Sequence, residues 1–446
     1  MPTSERSPCA TGPRRIADRR VSHGMATTGT KCAEALGIPE PWGPMRTREA
    51  PTKAKEPFVE SKLRTMRIQV CASAEQLAQL RGPWNALLAK AAENTPFLTH
   101  EWITAWWRAF GSGSLMYVIT VWQDDELVAV APLAYTKQQM VGATRSVVTF
   151  MANEYSNRAN FIVCHAPRAA LEAILDHLLT SAPPWDLLQI EPVDEDSPVT
   201  QAFLGILADR SQAFGIEDSL RSPYLRLPAT WAGLKEGLSP AFRKTLDRKL
   251  RKARQLGASL RVRFHTDPDL SEAFDIATQT WQHAAGTSIA STACLRQFYG
   301  ELAAARNWLQ LAILELDGKP ISFEYNLVYE RVLYNLKLGY LPQFAALSPG
   351  VVLQATVLQH AAEDGARQYD FMGSDEDYKR HWSRTVRIHR RVVVFNHQLV
   401  LRVAHLVRWR VKPFLKAHFP LLVAFKRALR WPGIRAGNRL PAGADL

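Results

Sequence analysis

Residues 334–371 include the runs Tyr334-Asn335-Leu336-Lys337-Leu338-Gly339-Tyr340, then Leu347-Ser348-Pro349-Gly350-Val351-Val352-Leu353, then Tyr369-Asp370-Phe371. The first run has the composition of a strand, the Pro-Gly pair marks a turn that opens a helix, and the third run is typical of a buried strand. A helix that begins beside strand ends presents free N–H groups and the positive end of its dipole. The order therefore predicts a phosphate-binding position at Ser348, Pro349 and Gly350.

A weaker version of this pattern occurs in the first half of the chain. Apolar runs flank Asp124-Asp125-Glu126 as they flank Asp317-Gly318-Lys319, and both patterns predict hairpins. Trp185-Asp186-Leu187-Leu188 similarly resembles Tyr369-Asp370-Phe371-Met372, at a comparable spacing. Any mixed fold contains hairpins and helix–strand units, but the shared order and spacing favour a duplicated domain.

The alternation of helical and strand patterns predicts a mixed α/β fold, with an α+β mixed sheet. The predicted helices are 75–92, 101–110, 168–180, 199–214, 239–256, 270–284, 292–306 and 351–365. The predicted strands are 66–70, 116–122, 127–135, 186–191, 309–316, 320–329, 331–339 and 368–372.

Length and composition predict two folded domains with a tail at each end. The chain has 446 residues, and its net charge of +13 indicates an anionic partner. We expect residues 1–65 to be a disordered or mis-called extension, because they are rich in Pro, Ser, Thr, Arg and Gly and a strand pattern begins at Met66. Domains are expected at 66–230 and 231–396, followed by a basic amphipathic tail at 397–446.

The sequence excludes several classes of protein. There is no charge-free apolar run long enough to span a membrane, and the five cysteines are scattered, which predicts a reducing, cytoplasmic location and no metal site. HExxH, GxSxG, P-loop and dinucleotide-binding motifs do not occur. Residues 397–439 contain many basic and aromatic residues and no acid, so this segment either contacts an anionic inner membrane or packs on the domain.

Candidate acids and bases cluster after the third run. Asp370 follows apolar residues, so a raised pKa and a role as a base are one expectation. Tyr369, Tyr378 and Tyr340 could donate or relay a proton. The alternative is that Asp370 hydrogen-bonds a turn and that the acidic run Asp375-Glu376-Asp377 is solvated. Lys379 would pair with these acids or contact an anionic substrate.

The run from Phe242 to Arg254 predicts a strongly basic helix with one apolar stripe. Its charges suit tRNA, the phosphates of a cofactor or an anionic polymer. The alternative is a solvated helix face over a small core. The exposed aromatic residues and known modules of an RNA-binding protein are missing from the pattern.

Together these residues resemble the CelD/BcsL-type acetyltransferases linked to bacterial cellulose biosynthesis, in the GNAT superfamily and related to the FemAB peptidoglycan transferases. The similarity covers roughly 240–395, and the first half matches more loosely. It rests on the following residues and runs: Arg243, Arg248, Trp281, Leu316-Asp317-Gly318-Lys319, Gly339-Tyr340, Ser348-Pro349-Gly350, Tyr369-Asp370-Phe371 and Tyr378-Lys379.

The resemblance implies tandem GNAT-like domains, with acetyl-CoA or another acyl-CoA as co-substrate. Its implied cofactor-binding residues are Leu338, Gly339, Ser348, Pro349 and Gly350, and its implied substrate-binding residues are Arg243, Arg248, Trp281 and Lys379. Asp370, Glu324, Tyr340 and Tyr378 are the catalytic candidates, although Glu324 could instead be an outward-facing strand residue. The usual glycine-rich GNAT signature is absent, and Ser348-Pro349-Gly350 stands in its place.

The resemblance implies an acyltransferase acting on an amine or hydroxyl of a sugar or exopolysaccharide precursor. Two alternatives stay open. One is FemAB-like transfer from aminoacyl-tRNA, with the basic helix holding the RNA. The other is a non-catalytic scaffold in a cellulose or polysaccharide synthesis complex.

Overall fold

The computed structural model describes residues 66–140, 143–164 and 167–396. The predicted N-terminal extension and the predicted basic tail lie outside these ranges. The strands are β1 (Met66–Cys71), β2 (Leu115–Gln123), β3 (Glu126–Met140), β4 (Ala143–Phe150), β5 (Ile162–Val163), β6 (Leu187–Asp194), β7 (Phe214–Arg226), β8 (Leu260–His265), β9 (Leu309–Leu316), β10 (Lys319–Tyr329), β11 (Val332–Tyr340), β12 (Gln368–Asp370) and β13 (Val386–Phe395).

The helices lie between these strands. They are α1 (Ala74–Gln79), α2 (Arg81–Lys90), α3 (His100–Phe110), α4 (Pro167–Thr180), α5 (Pro198–Asp209), α6 (Trp231–Glu236), α7 (Pro240–Gln255), α8 (Ser271–Thr278), α9 (Trp281–Ala284), α10 (Ala293–Ala305), α11 (Pro349–Glu363) and α12 (Asp377–Trp382). None of the helices in the described ranges has the length and apolarity that a membrane crossing requires.

The strands form one large mixed sheet, which confirms the predicted fold class. Its order is β1-β2-β3-β4-β6-β13-β7-β12-β11-β10-β9-β8, with β5 beside β3. From either end the pairing repeats: three antiparallel pairs, then the parallel pair β4–β6 or β11–β12, then an antiparallel pair. The same series of pairings in both halves is what a duplicated domain produces.

The two halves exchange their last strands at the centre of the sheet. β13, from the end of the second half, pairs with β6 of the first half, whereas β7 of the first half pairs with β12 of the second. β7 and β13 also pair with each other. Each half therefore borrows a strand from the other, and the division predicted at 230/231 runs through a continuous sheet.

Local sequence explains the repeated hairpins. The turns between β2 and β3 and between β9 and β10 both place an aspartate in the left-handed conformation, Asp124 at φ 54° and Asp317 at φ 52°. Aspartate tolerates this conformation better than most residues, and the following Gly318 extends the same turn. The sequence similarity between the two hairpins thus corresponds to the same backbone geometry.

Aromatic residues join helices of the two halves. Trp102 of α3 meets Phe298 of α10 edge-on, with ring centroids 5.2 Å apart, and Phe97 packs against Trp102 at 4.6 Å and Tyr334 at 5.5 Å. These rings belong to one continuous core. Edge-to-face aromatic pairs add roughly 0.5–1.5 kcal/mol each beyond the area they bury.

Most of the predicted elements are present, with specific corrections. The predicted helix 199–214 ends at Asp209, and Phe214 begins β7. The predicted helix 270–284 consists of two helices, α8 and α9. The residue patterns did not indicate β4, β5, β7, β8 or β13, nor the short helices α6 and α12.

Candidate functional site

The strands β11 and β12 separate beside the start of α11. They pair only from Val332 to Tyr334 with Gln368 to Asp370. Beyond that point the Phe371 amide donates to the Pro223 carbonyl of β7 at 3.1 Å, and Met372 and Gly373 turn at positive φ. The rest of β11, up to Tyr340, thus runs toward α11 without pairing to β12.

The N-terminus of α11 has fewer free backbone donors than the sequence suggested. Ser348 is in the left-handed conformation, and its amide donates to the Ala345 carbonyl at 2.9 Å, so it is not free to bind an anion. Pro349 has no N–H. Gly350 lies in the first turn, where amides have no partner within the helix. The expectation that Ser348 donates to a phosphate is therefore corrected, and the Gly350 amide remains.

A cation lies close to this helix start. The Lys252 side chain of α7 is exposed, and its Nζ donates to the Ala346 carbonyl at 3.0 Å, in the turn that precedes α11. A Cβ atom added at Gly350 would lie 3.7 Å from the Tyr340 ring, an ordinary contact. Packing thus does not require glycine here, and an amide, the helix dipole and a lysine together suit a phosphate.

Glu324 is a buried carboxyl in β10 and is only 1% exposed, which rules out an outward-facing residue. Its Oε2 accepts from the Tyr369 hydroxyl at 3.2 Å and from the Asn326 and Asn335 amides at 3.5 Å. Burial raises the pKa of Glu324 to about 8, against the lowering effect of its hydrogen bonds with Tyr369 and Asn326. No partner in the described chain hydrogen-bonds to its Oε1.

Asp370 has a different environment from the one expected. Burial would raise its pKa, but the charges of Arg158 and Arg387 outweigh this effect and hold the pKa below its ordinary value. Asp370 Oδ2 pairs with Arg158 and, at 3.0 Å, with Arg387, while Oδ1 accepts from the Met372 amide at 3.0 Å. The expectation of a raised pKa is thus wrong, and this carboxylate joins the two halves.

The tyrosine candidates differ in how they relate to Glu324. Tyr378 is half-buried, and its pKa is raised well above the usual value by burial and then by the carboxyls of Glu376 and Glu324. Tyr340 lies at the end of β11 beside Gly350. Tyr369, which the sequence also offered as a proton relay, is the tyrosine whose hydroxyl donates to Glu324.

Two of the four predicted substrate-binding residues, Lys379 and Arg243, have partners within the protein. Lys379 is buried, pairs with Glu376 and donates to the carbonyls of Met372 at 2.7 Å and Ser374 at 3.0 Å. Arg243 donates to the carbonyls of Glu236 and Leu238. Arg248 and Trp281 are exposed, Trp281 by 54%.

The backbone of Leu338 and Gly339 faces neighbouring side chains. The Leu338 carbonyl accepts from Gln282 at 3.4 Å, and the Gly339 carbonyl accepts from Ser322 at 2.9 Å. A Cβ atom at Gly339 would approach the Phe323 ring to 2.7 Å. Close packing alone therefore explains this glycine.

Sequence reasoning did not select Lys337 or Arg158. A lysine inside the otherwise uncharged β11 run was a signal that could have been used. Arg158 carried no comparable signal, because its partner Asp370 lies in the other half of the chain.

The comparisons agree with this geometry. Residues 240–380 match the family model described as an acetyltransferase (GNAT) domain, Acetyltransf_6. No curated protein matches the chain. Among solved structures, FemX is similar at 14% identity with a TM-score of 0.53, over 76% of this chain and 100% of that chain.

Two further structures are similar at lower scores. One is the C-terminal domain of a putative lysylphosphatidylglycerol synthetase from Agrobacterium fabrum, with 11% identity, a TM-score of 0.45 and coverage of 74% and 97%. The other is a tandem GNAT protein from the clavulanic acid biosynthesis pathway, with 13% identity, a TM-score of 0.41 and coverage of 74% and 98%. Residues 240–380 are thus similar to an acetyltransferase (GNAT) domain, within a mixed α/β chain that shares its fold with FemX.

Proposed function

We propose that the protein is an acyltransferase that moves an acetyl or other acyl group from acyl-CoA to an amine or hydroxyl. The observation that carries the proposal is Glu324, a buried carboxyl with a raised pKa inside the segment that matches the acetyltransferase domain. Carboxyls with strongly perturbed pKa values are typical of catalytic acids and bases.

The residues at the start of α11 fit the diphosphate of CoA. The Gly350 amide and the α11 dipole supply a partial positive charge, and the Lys252 ammonium adds a full one. Bound acyl-CoA would supply an activated thioester carbonyl. Beyond Tyr334, β11 has no pairing with β12, and a backbone N–H on that edge would be suited to polarise the carbonyl.

Glu324 would accept the proton of the attacking amine or hydroxyl. The pKa of Glu324 is about 8, so at one pH unit below this pKa roughly a tenth of the Glu324 side chains are ionised. The ionised base is therefore available near neutral pH. The Tyr369 hydroxyl stabilises the ionised form by its hydrogen bond to Oε2. Tyr378 and Tyr340 remain candidates for relaying the proton, whereas Asp370 is occupied by two arginines.

A saccharide or cell-envelope precursor is the proposed acceptor, on the strength of the resemblance to the CelD/BcsL type. An exopolysaccharide or cellulose pathway would then be the setting of the reaction. Transfer of labelled acetyl groups to a panel of amino sugars and neutral sugars would test this part separately from cofactor binding.

The first experiment measures acetyl-CoA binding and transfer with wild type, Glu324→Gln and the control Glu363→Gln, an exposed residue at the end of α11. Loss of the base should reduce turnover by about 10²–10⁴-fold while binding is kept. Glu363→Gln should match the wild type. About millimolar acetyl-CoA is the upper end of ordinary KM values. If the protein does not bind acetyl-CoA at this concentration, the proposal is wrong.

Transfer from aminoacyl-tRNA is the second candidate, favoured by the exposed cations of α7, which include Lys244, Arg248 and Arg251. It predicts tRNA binding that weakens steeply with salt and is lost in Arg248→Gln with Lys249→Gln. Salt-independent or absent binding rejects it. If neither donor supports turnover, a non-catalytic scaffold is the remaining function.

A further inference from the structure

Lys337 carries a positive charge in the region where β11 leaves β12. Its Nζ donates to the Thr287 carbonyl at 2.9 Å and lies 5.1 Å from the centroid of the Tyr155 ring. In the described part of the chain, no carboxylate forms an ion pair with it. A half-buried ammonium with one carbonyl and one ring as partners is incompletely compensated, since buried charges are ordinarily paired.

Both halves of the molecule build the surroundings of Lys337. Tyr155 comes from a loop of the first half and stacks on Phe110, with centroids 5.8 Å apart. Segment 281–288 also contacts this region, since the Thr287 carbonyl accepts from Lys337 and the Gln282 side chain donates to the Leu338 carbonyl at 3.4 Å. We call the half-buried Lys337 side chain, together with Tyr155 and segment 281–288, the lysine recess.

The charges around the lysine recess leave Lys337 as the ammonium group available to a ligand. Lys379 is nearby, but its donors are engaged by Glu376 and two carbonyls. Burial and then the charge of Lys379 lower the pKa of Lys337 to about 8, while Glu154 and Glu376 act in the opposite direction. Lys337 is therefore mostly protonated at neutral pH.

We propose that the lysine recess holds an anionic group of the acyl acceptor, a phosphate or a carboxylate, with the Lys337 ammonium as its direct partner. This inference rests on the proposed acyltransferase function and names the acceptor class, an anionic amine or alcohol. The first half then contributes to acceptor binding through Tyr155.

The test follows the Lys337 side chain by NMR in protein labelled with ¹³C at the lysine ε carbon. Lys337→Met identifies the resonance by its loss, and Lys337→Arg is the alternative if the methionine variant does not fold. Sodium phosphate and sodium acetate are titrated separately at constant ionic strength, with sodium chloride as the control. Lys252→Met identifies the lysine beside α11.

We expect phosphate or acetate to shift the Lys337 resonance saturably, with a Kd of about 1–10 mM, as befits a ligand of few atoms. Phosphate alone would indicate a phosphorylated acceptor, and acetate alone a carboxylated one. Shifts confined to the Lys252 resonance, no shift at Lys337, or an equal shift with chloride would each overturn the inference.

Acetyl-CoA binding to Lys337→Met separates this inference from the proposed function. The Kd of the variant for acetyl-CoA should stay within about threefold of the wild-type Kd. This is less than the tenfold change in Kd that corresponds to 1.4 kcal/mol. If wild type shifts at Lys337 but binds no acetyl-CoA, the acyltransferase proposal fails and the anion site stands. If the wild type binds acetyl-CoA normally but phosphate and acetate do not shift the Lys337 resonance, the anion-site inference fails and the acyltransferase proposal stands.

Discussion

Asp370 shows why a residue pattern alone mispredicts a buried carboxyl. Its apolar neighbours in sequence suggested a raised pKa, but its arginine partners come from residues 158 and 387, one of them in the other half. Glu324 lacks such partners, and burial dominates its pKa. Two carboxyls with similar sequence contexts thus have opposite pKa shifts, and only the long-range contacts distinguish them.

Replacement of Asp370 by alanine should destabilise the protein strongly. The change leaves Arg158 without its ion-pair partner in a largely buried position, whereas Arg387 keeps Asp194 at 2.9 Å. An unpaired buried charge costs about 3–5 kcal/mol of unfolding free energy. Urea denaturation measures the loss, with the exposed Asp364→Ala as the control. A change below about 1 kcal/mol, typical of an exposed ion pair, would contradict the structural role.

The same carboxylate should make stability depend on acidity. The pKa of Asp370 is depressed below its ordinary value of 3.8, so its contribution is fully present above that pH. It is lost as pH falls through the lower folded-state value. Asp370→Asn should flatten this acid limb in a series of urea melts, and an unchanged limb would show that other groups cause it.

The Glu324 carboxyl should make the stability of the protein depend on pH in the opposite direction from Asp370. Its pKa is raised from 4.5 to about 8, so between these values the folded state binds the extra proton and stability falls as pH rises. Over the same range turnover should increase, because the base ionises. Glu324→Gln should remove both slopes, and persistence of the turnover slope in this variant would exclude Glu324 as the base.

At the scale of elements, α11 offers a separable test of cofactor binding. Gly350→Ala places a methyl group in ordinary contact with Tyr340, so folding should be kept, whereas a phosphate would lose its close approach to the amide. We expect acetyl-CoA affinity to fall by about tenfold, equivalent to 1.4 kcal/mol. Calorimetric titration measures it.

The matched control for that variant is Gly205→Ala in α5. A Cβ atom there meets nothing within 4 Å, and alanine in a helix interior should stabilise the fold by about 0.5–1 kcal/mol. Affinity should not change. Equal affinities of the Gly350→Ala variant and the wild type would remove the α11 N-terminus from the cofactor site.

The elements that sequence predicted and those it missed differ in how they are stabilised. The hairpins β2–β3 and β9–β10 and helix α11 have apolar periodicity and local turn signals. β7 and β13 lie at the centre of the sheet but carry charged cross-strand pairs: Arg391 of β13 pairs with Glu191 of β6 at 2.6 Å and with Glu217 of β7 at 3.8 Å. Cross-strand ion pairs of this kind replace apolar alternation, so no strand pattern is visible before the pairing is known.

For the whole molecule, the exchanged strands predict that the described chain unfolds as one unit. Val392 of β13 is fully buried and lies opposite Ile190 of β6 and Ile216 of β7. Val392→Ala should therefore destabilise both halves, by about 1–3 kcal/mol for the loss of two buried methyl groups and the resulting cavity. Hydrogen exchange should accelerate equally in β2–β3 and in β9–β10, while the exposed Val328→Ala should leave both unchanged. Acceleration in one hairpin alone would mean that the halves open independently, despite the strands they share.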